Sequence, residues 1–355
     1  MDLLQIYKKV DSILDTLDFN LVFAGFHKYR FALYSSKEII LDEQVLPPRE
    51  DFRGNTAKEY EEEYIAIWNM EFDPVEDVER LAYLLVHEMF HCHQFTHKET
   101  RFPCDFELLN YPDDVDNFTK KYTENCYLAD AYEKKEEQLF QKFVCIRKTR
   151  FETYPSMVRQ EWKTESLEGM AEYVGLKTLE QINKEKYTAI VESYLGKLRE
   201  ENKLLFDVRK ISYYTGAVYF LCLERFGFTI RNDFGSKLTA FEQNMVDITG
   251  VHADIRAYDF IPTLLAELAA EKQQMIQEHI KVSDYTECKA IICGYDPMNM
   301  FRRGDLVYCR HFVCLEEEGK VKTFTSRIVL KLAEGSNRDV VGYYNKCIPD
   351  TLITE

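Results

Sequence analysis

The chain has 355 residues, with 45 Lys and Arg against 61 Asp and Glu, a formal net charge of −16. Hydrophobic residues make up 46% and charged residues 30%, enough to bury the core of one large domain or two smaller ones. The charge argues against a nucleic-acid partner, because phosphate binding needs a basic face, and apolar runs such as residues 81–86 are far short of the ~20 that cross a bilayer.

The N-terminus, MDLLQIYKKVDSILDTL, lacks the basic start, apolar core and small-residue cleavage site of a signal peptide. It places Leu3, Leu4, Tyr7, Val10, Ile13, Leu14 and Leu17 on one helical face. A cytoplasmic protein with no membrane partner is expected, and its ten scattered cysteines are expected to be reduced thiols. Residues 21–41, with LVFAGF, YRFALY and EIIL, predict short strands. Pro47 and Pro48 open a polar stretch through Glu63 that reads as a surface loop.

EYIAIWNMEF follows and predicts a strand. If it forms an exposed sheet edge, an extended peptide could add to it; a purely structural strand is the other reading. A helix is predicted next, with Asp73 as N-cap, Pro74 first and Glu76 three residues after the cap. Residues 102–116 read as a loop and 125–150 as one long helix, opening a mostly helical middle. There Tyr187, Ile190, Val191, Tyr194, Leu195 and Leu198 keep helical spacing. Beyond Val282, KAIICGY, DLVYCRHFVCL, KTFTSRIVLKL and DVVGYYNKC predict strands. Residues 1–282 are taken as one region and 283–355 as a small β subdomain.

The chemistry sits in His87-Glu88-Met89-Phe90-His91. On a helix, residues four apart share a face, so both imidazoles can reach one metal ion. Glu88 lies about 100° round, beside the ion, where a general base belongs. The bland alternative is two histidines and a glutamate on an ordinary helix face. A hydrolytic zinc ion takes three protein ligands and leaves one position for water, so a third ligand must come from elsewhere. The best candidate is Glu168 in Glu165-Ser166-Leu167-Glu168-Gly169-Met170-Ala171-Glu172-Tyr173. Gly169 and Ala171 would let that helix approach the one bearing His87. Glu172, on the same face, could hydrogen-bond a ligand histidine. Glu161 and Glu165 read as part of an acidic solvated face.

HEMFH followed by LEGMAEY resembles the gluzincin metallopeptidases, most closely the catalytic domain of the membrane-alanyl aminopeptidase type. Tyr213-Tyr214-Thr215-Gly216-Ala217 is similar to that family's Y-x-K-G-A segment. The resemblance covers residues 73–97 and 162–227. It implies an α+β gluzincin-like fold with an N-terminal, mainly antiparallel sheet, a helical lobe and the C-terminal β subdomain. It also implies a Zn²⁺ cofactor held by His87, His91 and Glu168, and a peptide or protein substrate. Glu88 would be the general base, and Tyr213 would donate to the oxyanion, with Tyr214 an equally placed competitor.

The sequence also departs from that family. Glu168 stands 77 positions after His91, so residues 92–167 form an insertion. The amine-binding G-x-M-E-N segment is missing, echoed only by Asn69-Met70-Glu71, and Thr215 replaces the family lysine. Cleavage preference is therefore not implied. A catalytically inactive metal-binding scaffold, or an interaction protein using residues 283–355, is the alternative function.

His93 and His97 are also four apart but lie on another face, and read as polar residues past the buried part of the helix. Cys288, Cys293, Cys309 and Cys314 are spaced in odd steps that alternate strand faces, so they read as small apolar residues rather than a metal set. No phosphate-cradling or serine-hydrolase motif is present.

Overall fold

The computed structural model describes residues 2–346 and shows an α+β protein with two sheets. Two compact units divide it: residues 2–102, 120–200 and 211–254, and residues 103–119, 201–210 and 255–346. The division does not follow the sequence boundary at 282/283. Two short segments from mid-chain, and a long helix before residue 282, belong with the C-terminal strands. Among the described residues, no helix is long and apolar enough to cross a membrane.

The first unit opens with helices α1 (Leu3–Leu14) and α2 (Phe19–Val22). Five strands follow: β1 (Phe31–Tyr34), β2 (Ile39–Leu41), β3 (Gln44–Leu46), β4 (Thr56–Tyr60) and β5 (Glu63–Asn69), in the spatial order β3-β2-β1-β5-β4. Only the β1–β5 pair is parallel. All four residues of β1 are buried, because the sheet is covered on both faces and an uninterrupted apolar run fits there. On one side Tyr7 of α1 stacks on Phe31 at 4.3 Å, and on the other Phe52 closes over Tyr34 at 5.6 Å. The polar stretch expected as a loop thus includes β4. EYIAIW is no edge: β5 is hydrogen-bonded on both sides, and β4 forms the rim.

Helix α3 (Val78–Thr96) packs on this sheet and carries the HEMFH motif. It starts four residues later than expected. The Asp77 side chain accepts from the N–H groups of Glu79 and Arg80, whereas Asp73 is drawn into a turn by Asn69 and Trp68.

The remaining helices are α4 (Asp105–Leu109), α5 (Val115–Lys134), α6 (Glu137–Thr153), α7 (Pro155–Thr164), α8 (Met170–Ile182), α9 (Lys184–Arg199), α10 (Val208–Arg225), α11 (Ala240–Gln243) and α12 (Phe260–Lys281). The segment expected as one helix over 125–150 is two, broken where Lys135 takes a φ of 59°. Between α7 and α8 the chain makes one π-helical turn, Glu165–Gly169.

The approach of α8 to α3 rests on Gly175, where a Cβ would lie 3.0 Å from the Tyr83 ring. Gly169, which the sequence suggested for that contact, instead meets Gly216 of α10. A Cβ on Gly169 would stand 2.6 Å from the Gly216 Cα. Alanine gains up to about 1 kcal/mol of helix propensity over glycine, but a backbone clash this close costs more, typically about 1–3 kcal/mol. Gly169→Ala should therefore lower the urea midpoint; an unchanged or raised midpoint would show that the two helices separate freely.

In the second unit, seven antiparallel strands, β6 (Asp284–Tyr295), β7 (Met300–Arg303), β8 (Leu306–Cys309), β9 (Val313–Glu317), β10 (Lys320–Phe324), β11 (Ile328–Leu332) and β12 (Asp339–Asn345), run in the order β10-β9-β6-β12-β11-β8-β7. One face closes on a core of Ile292, Val307, Leu315, Ile328, Leu330 and Val340, which Phe106 of α4 joins. The other packs Tyr308 and Val329 against Ile276 of α12. Cys309 and Cys314 are buried, Cys288 is half-buried and Cys293 exposed, all as free thiols. Cys347 lies outside the described residues.

Candidate metal centre

Helix α3 brings His87 and His91 to one face, and the π turn brings Glu168 to them. Their ligand atoms, one per residue, lie within 4.8 Å of one another, and all three residues are buried. The two imidazole Nε2 atoms are 3.1 Å apart, with Glu168 Oε2 at 3.1 Å from His91 Nε2 and 3.6 Å from His87 Nε2. Ligands on a tetrahedral zinc ion, each about 2.0–2.1 Å from it, stand roughly 3.3 Å apart. The donor set fits zinc in type and spacing.

The other ring nitrogens strengthen that fit. His87 Nδ1 lies 2.9 Å from Glu172 Oε2, and the hydroxyls of Tyr83 and Tyr194 donate to Glu172 Oε1. Burial would raise the Glu172 pKa, but hydrogen bonds from His87 and the two phenols outweigh it and hold the carboxyl below its usual value. An ionised Glu172 accepts, so His87 Nδ1 carries the proton.

His91 Nδ1 lies 2.7 Å from Gln94 Oε1, while Gln94 Nε2 donates to the Leu167 carbonyl at 3.0 Å. The amide is oriented by that carbonyl, so His91 Nδ1 is a donor as well. Both Nε2 lone pairs therefore point at the same space as the Glu168 carboxylate. Burial lowers the pKa of each imidazole, yet Glu168 and its neighbours overcome this and raise both. A field that favours a proton there favours a cation too.

Glu88 is half-buried on the next stripe of α3 and makes no hydrogen bond or ion pair among the described residues. Burial lifts its pKa above the ordinary value, with His87 and His91 pulling it back. Of the paired tyrosines, Tyr213 lies parallel to the His87 ring, at 6.1 Å between centroids and 4° between planes. Tyr214 packs on Tyr194 and beneath Lys197.

Comparison with known families, curated proteins and solved structures finds no match.

Two sequence expectations need correcting here. His93 does not lie past the buried stretch: it is buried in an aromatic nest of Phe23, Phe26, Phe90 and Phe234, where burial holds its pKa down to about 3. Only His97 is exposed. Nor are Glu161 and Glu165 solvated. Both are buried, paired with Arg150 and Arg147 respectively.

Gln94, Tyr83 and Tyr194 were missed. The i, i+3 spacing of Gln94 from His91 and the i, i+4 spacing of Tyr83 and His87 on α3 were the available signals; Tyr194 comes from distant sequence and left none. Removing a partner of this kind typically costs about 10–100-fold in metal affinity. Gln94→Leu should weaken zinc binding by that order in a competitive chelator titration, and should also lower the melting temperature, because the buried Leu167 carbonyl loses its donor. Unchanged affinity would mean that Gln94 does not orient His91.

Proposed function

We propose that this protein is a zinc-dependent metallopeptidase of the gluzincin kind. The observation that carries the proposal is the convergence of two histidine lone pairs and a carboxylate at one point, with both Nδ1 atoms held as donors. His87, His91 and Glu168 would hold the ion. Bound there, Zn²⁺ would polarise the scissile carbonyl and lower the pKa of a water toward ~7.

The chain's own groups do the rest. Glu88, with no hydrogen bond or ion pair among the described residues, takes a proton from the attacking water and passes it to the leaving amine. Tyr213, beside His87, donates a hydrogen bond to the carbonyl oxygen as negative charge develops. Glu172 and Gln94 keep the imidazoles turned toward the metal.

The test is elemental analysis of wild type and Glu168→Ala, both purified without added zinc. Near-stoichiometric zinc in wild type and its loss in the variant is the expected result. Wild type that neither contains zinc nor takes it up would overturn the reading. Zinc retained by Glu168→Ala would remove Glu168 from the ligand set.

A further inference from the structure

A cavity of about 260 Å³ opens within the second unit, walled by α4, the turn Lys203–Phe206, α12 and the turn Pro297–Asn299. Most charged groups around it are committed. Asp105 pairs with Arg209, Glu271 with Lys203 at 2.6 Å, and Asp113 with Arg303 at 3.2 Å. Asp207 accepts from the Lys210 backbone N–H at 3.1 Å.

Two cations in the wall are not committed. Lys272 is half-buried and makes no hydrogen bond or ion pair among the described residues. Within the same set, the only polar contact of the Arg310 guanidinium is the Met275 sulfur at 3.5 Å. A part-buried ammonium with no carboxylate in direct contact is unfavourable. Burial accordingly holds the Lys272 pKa below the usual lysine value; Asp113 and Asp207 oppose this only in part, and Arg303 and Arg310 add to it. Met275, Met298 and Met300 line the same space, an adaptable apolar surface beside the two charges.

We infer that this cavity binds a small amphiphilic anion, its carboxylate or phosphate head between Lys272 and Arg310 and its short apolar body against the methionines. Guanidinium and ammonium together supply directed donors, the anion supplies the negative charge that pairs them, and the methionines exclude water from one side of the pair.

The experiment titrates the full chain by calorimetry with hexanoate, hexyl phosphate and hexylamine. Saturable binding of either anion is expected, and which of the two binds identifies the head group. Lys272→Gln and Arg310→Gln should each weaken that binding roughly ten- to hundredfold. Neither residue has an ionic partner to lose, so the melting temperature should hold. If a variant does not fold, reductive methylation of Lys272 in wild type provides the readout, and bound probe should slow it. The inference is overturned if neither anion saturates, if hexylamine binds as well as the anions, or if bound anion leaves both the variants' affinity and the methylation rate unchanged.

Discussion

If the protein is the proposed zinc peptidase, Glu88→Gln should reduce peptide hydrolysis by about 10²–10⁴-fold while leaving zinc content at the wild-type level. The substitution keeps the shape of the side chain and removes only its ability to take a proton. Glu88 holds no hydrogen bond or ion pair among the described residues, so the fold has little to lose. It is also outside the cluster of His87, His91 and Glu168, so the metal has nothing to lose. Cleavage of a peptide library, followed by mass spectrometry, and elemental analysis on the same preparation check both halves. Undiminished cleavage by the variant would remove Glu88 from the mechanism, whatever the metal content.

The second large effect is on stability. Lys121, Arg147 and Arg150 face Glu124, Glu161 and Glu165 in the interior of the first unit, three positive charges against three negative. Arg147 lies 2.6 Å from Glu165 and 3.1 Å from Glu124. Arg147→Met removes the cation that both carboxylates share and leaves the network one charge short. Breaking a buried pair from one side costs about 3–5 kcal/mol, a large part of the stability of an ordinary domain. Chemical denaturation should show that loss; less than about 1 kcal/mol would mean that water reaches the network.

The same network carries a pH signature. Burial would raise the Glu161 pKa, but Arg150 and Lys121 outweigh it and lower the folded value below that of the unfolded chain. Its contribution is therefore complete above about pH 4.3, the unfolded value, and fades as the pH falls through the folded one. Burial moves Glu165 the opposite way despite Arg147, so the difference between wild type and Glu161→Gln isolates the effect. That difference should shrink on acidification.

The side-chain cluster was more legible in the sequence than the element boundaries. His87 and His91 could be read because four residues on a helix set their spacing, and Glu172 because it repeats that spacing from Glu168. The start of α3 was harder, since Asp73 and Asp77 are both good caps and what separates them is the turn in which Asn69 and Trp68 hold Asp73. The break at Lys135 falls within EKKEEQ, a run with no glycine or proline to announce it. EYIAIW showed its strand character, but a strand's neighbours lie elsewhere in the chain, and β4 was hidden in polar sequence. His93 was misjudged because nothing nearby in sequence announces an aromatic nest built from Phe23, Phe26 and Phe234.

The π turn at Glu165–Gly169 bears on how such chains are aligned. On a uniform α-helix, Glu161, Glu165, Glu168 and Glu172 would fall on a single stripe. The wider turn adds one residue, about 100° of rotation, between the first pair and the second. Glu161 and Glu165 then serve the buried cations, while Glu168 and Glu172 serve the histidines. An alignment that treats residues 155–182 as one regular helix, or that sets a gap a single position away from the turn, exchanges the proposed ligand Glu168 for a carboxylate paired with buried cations.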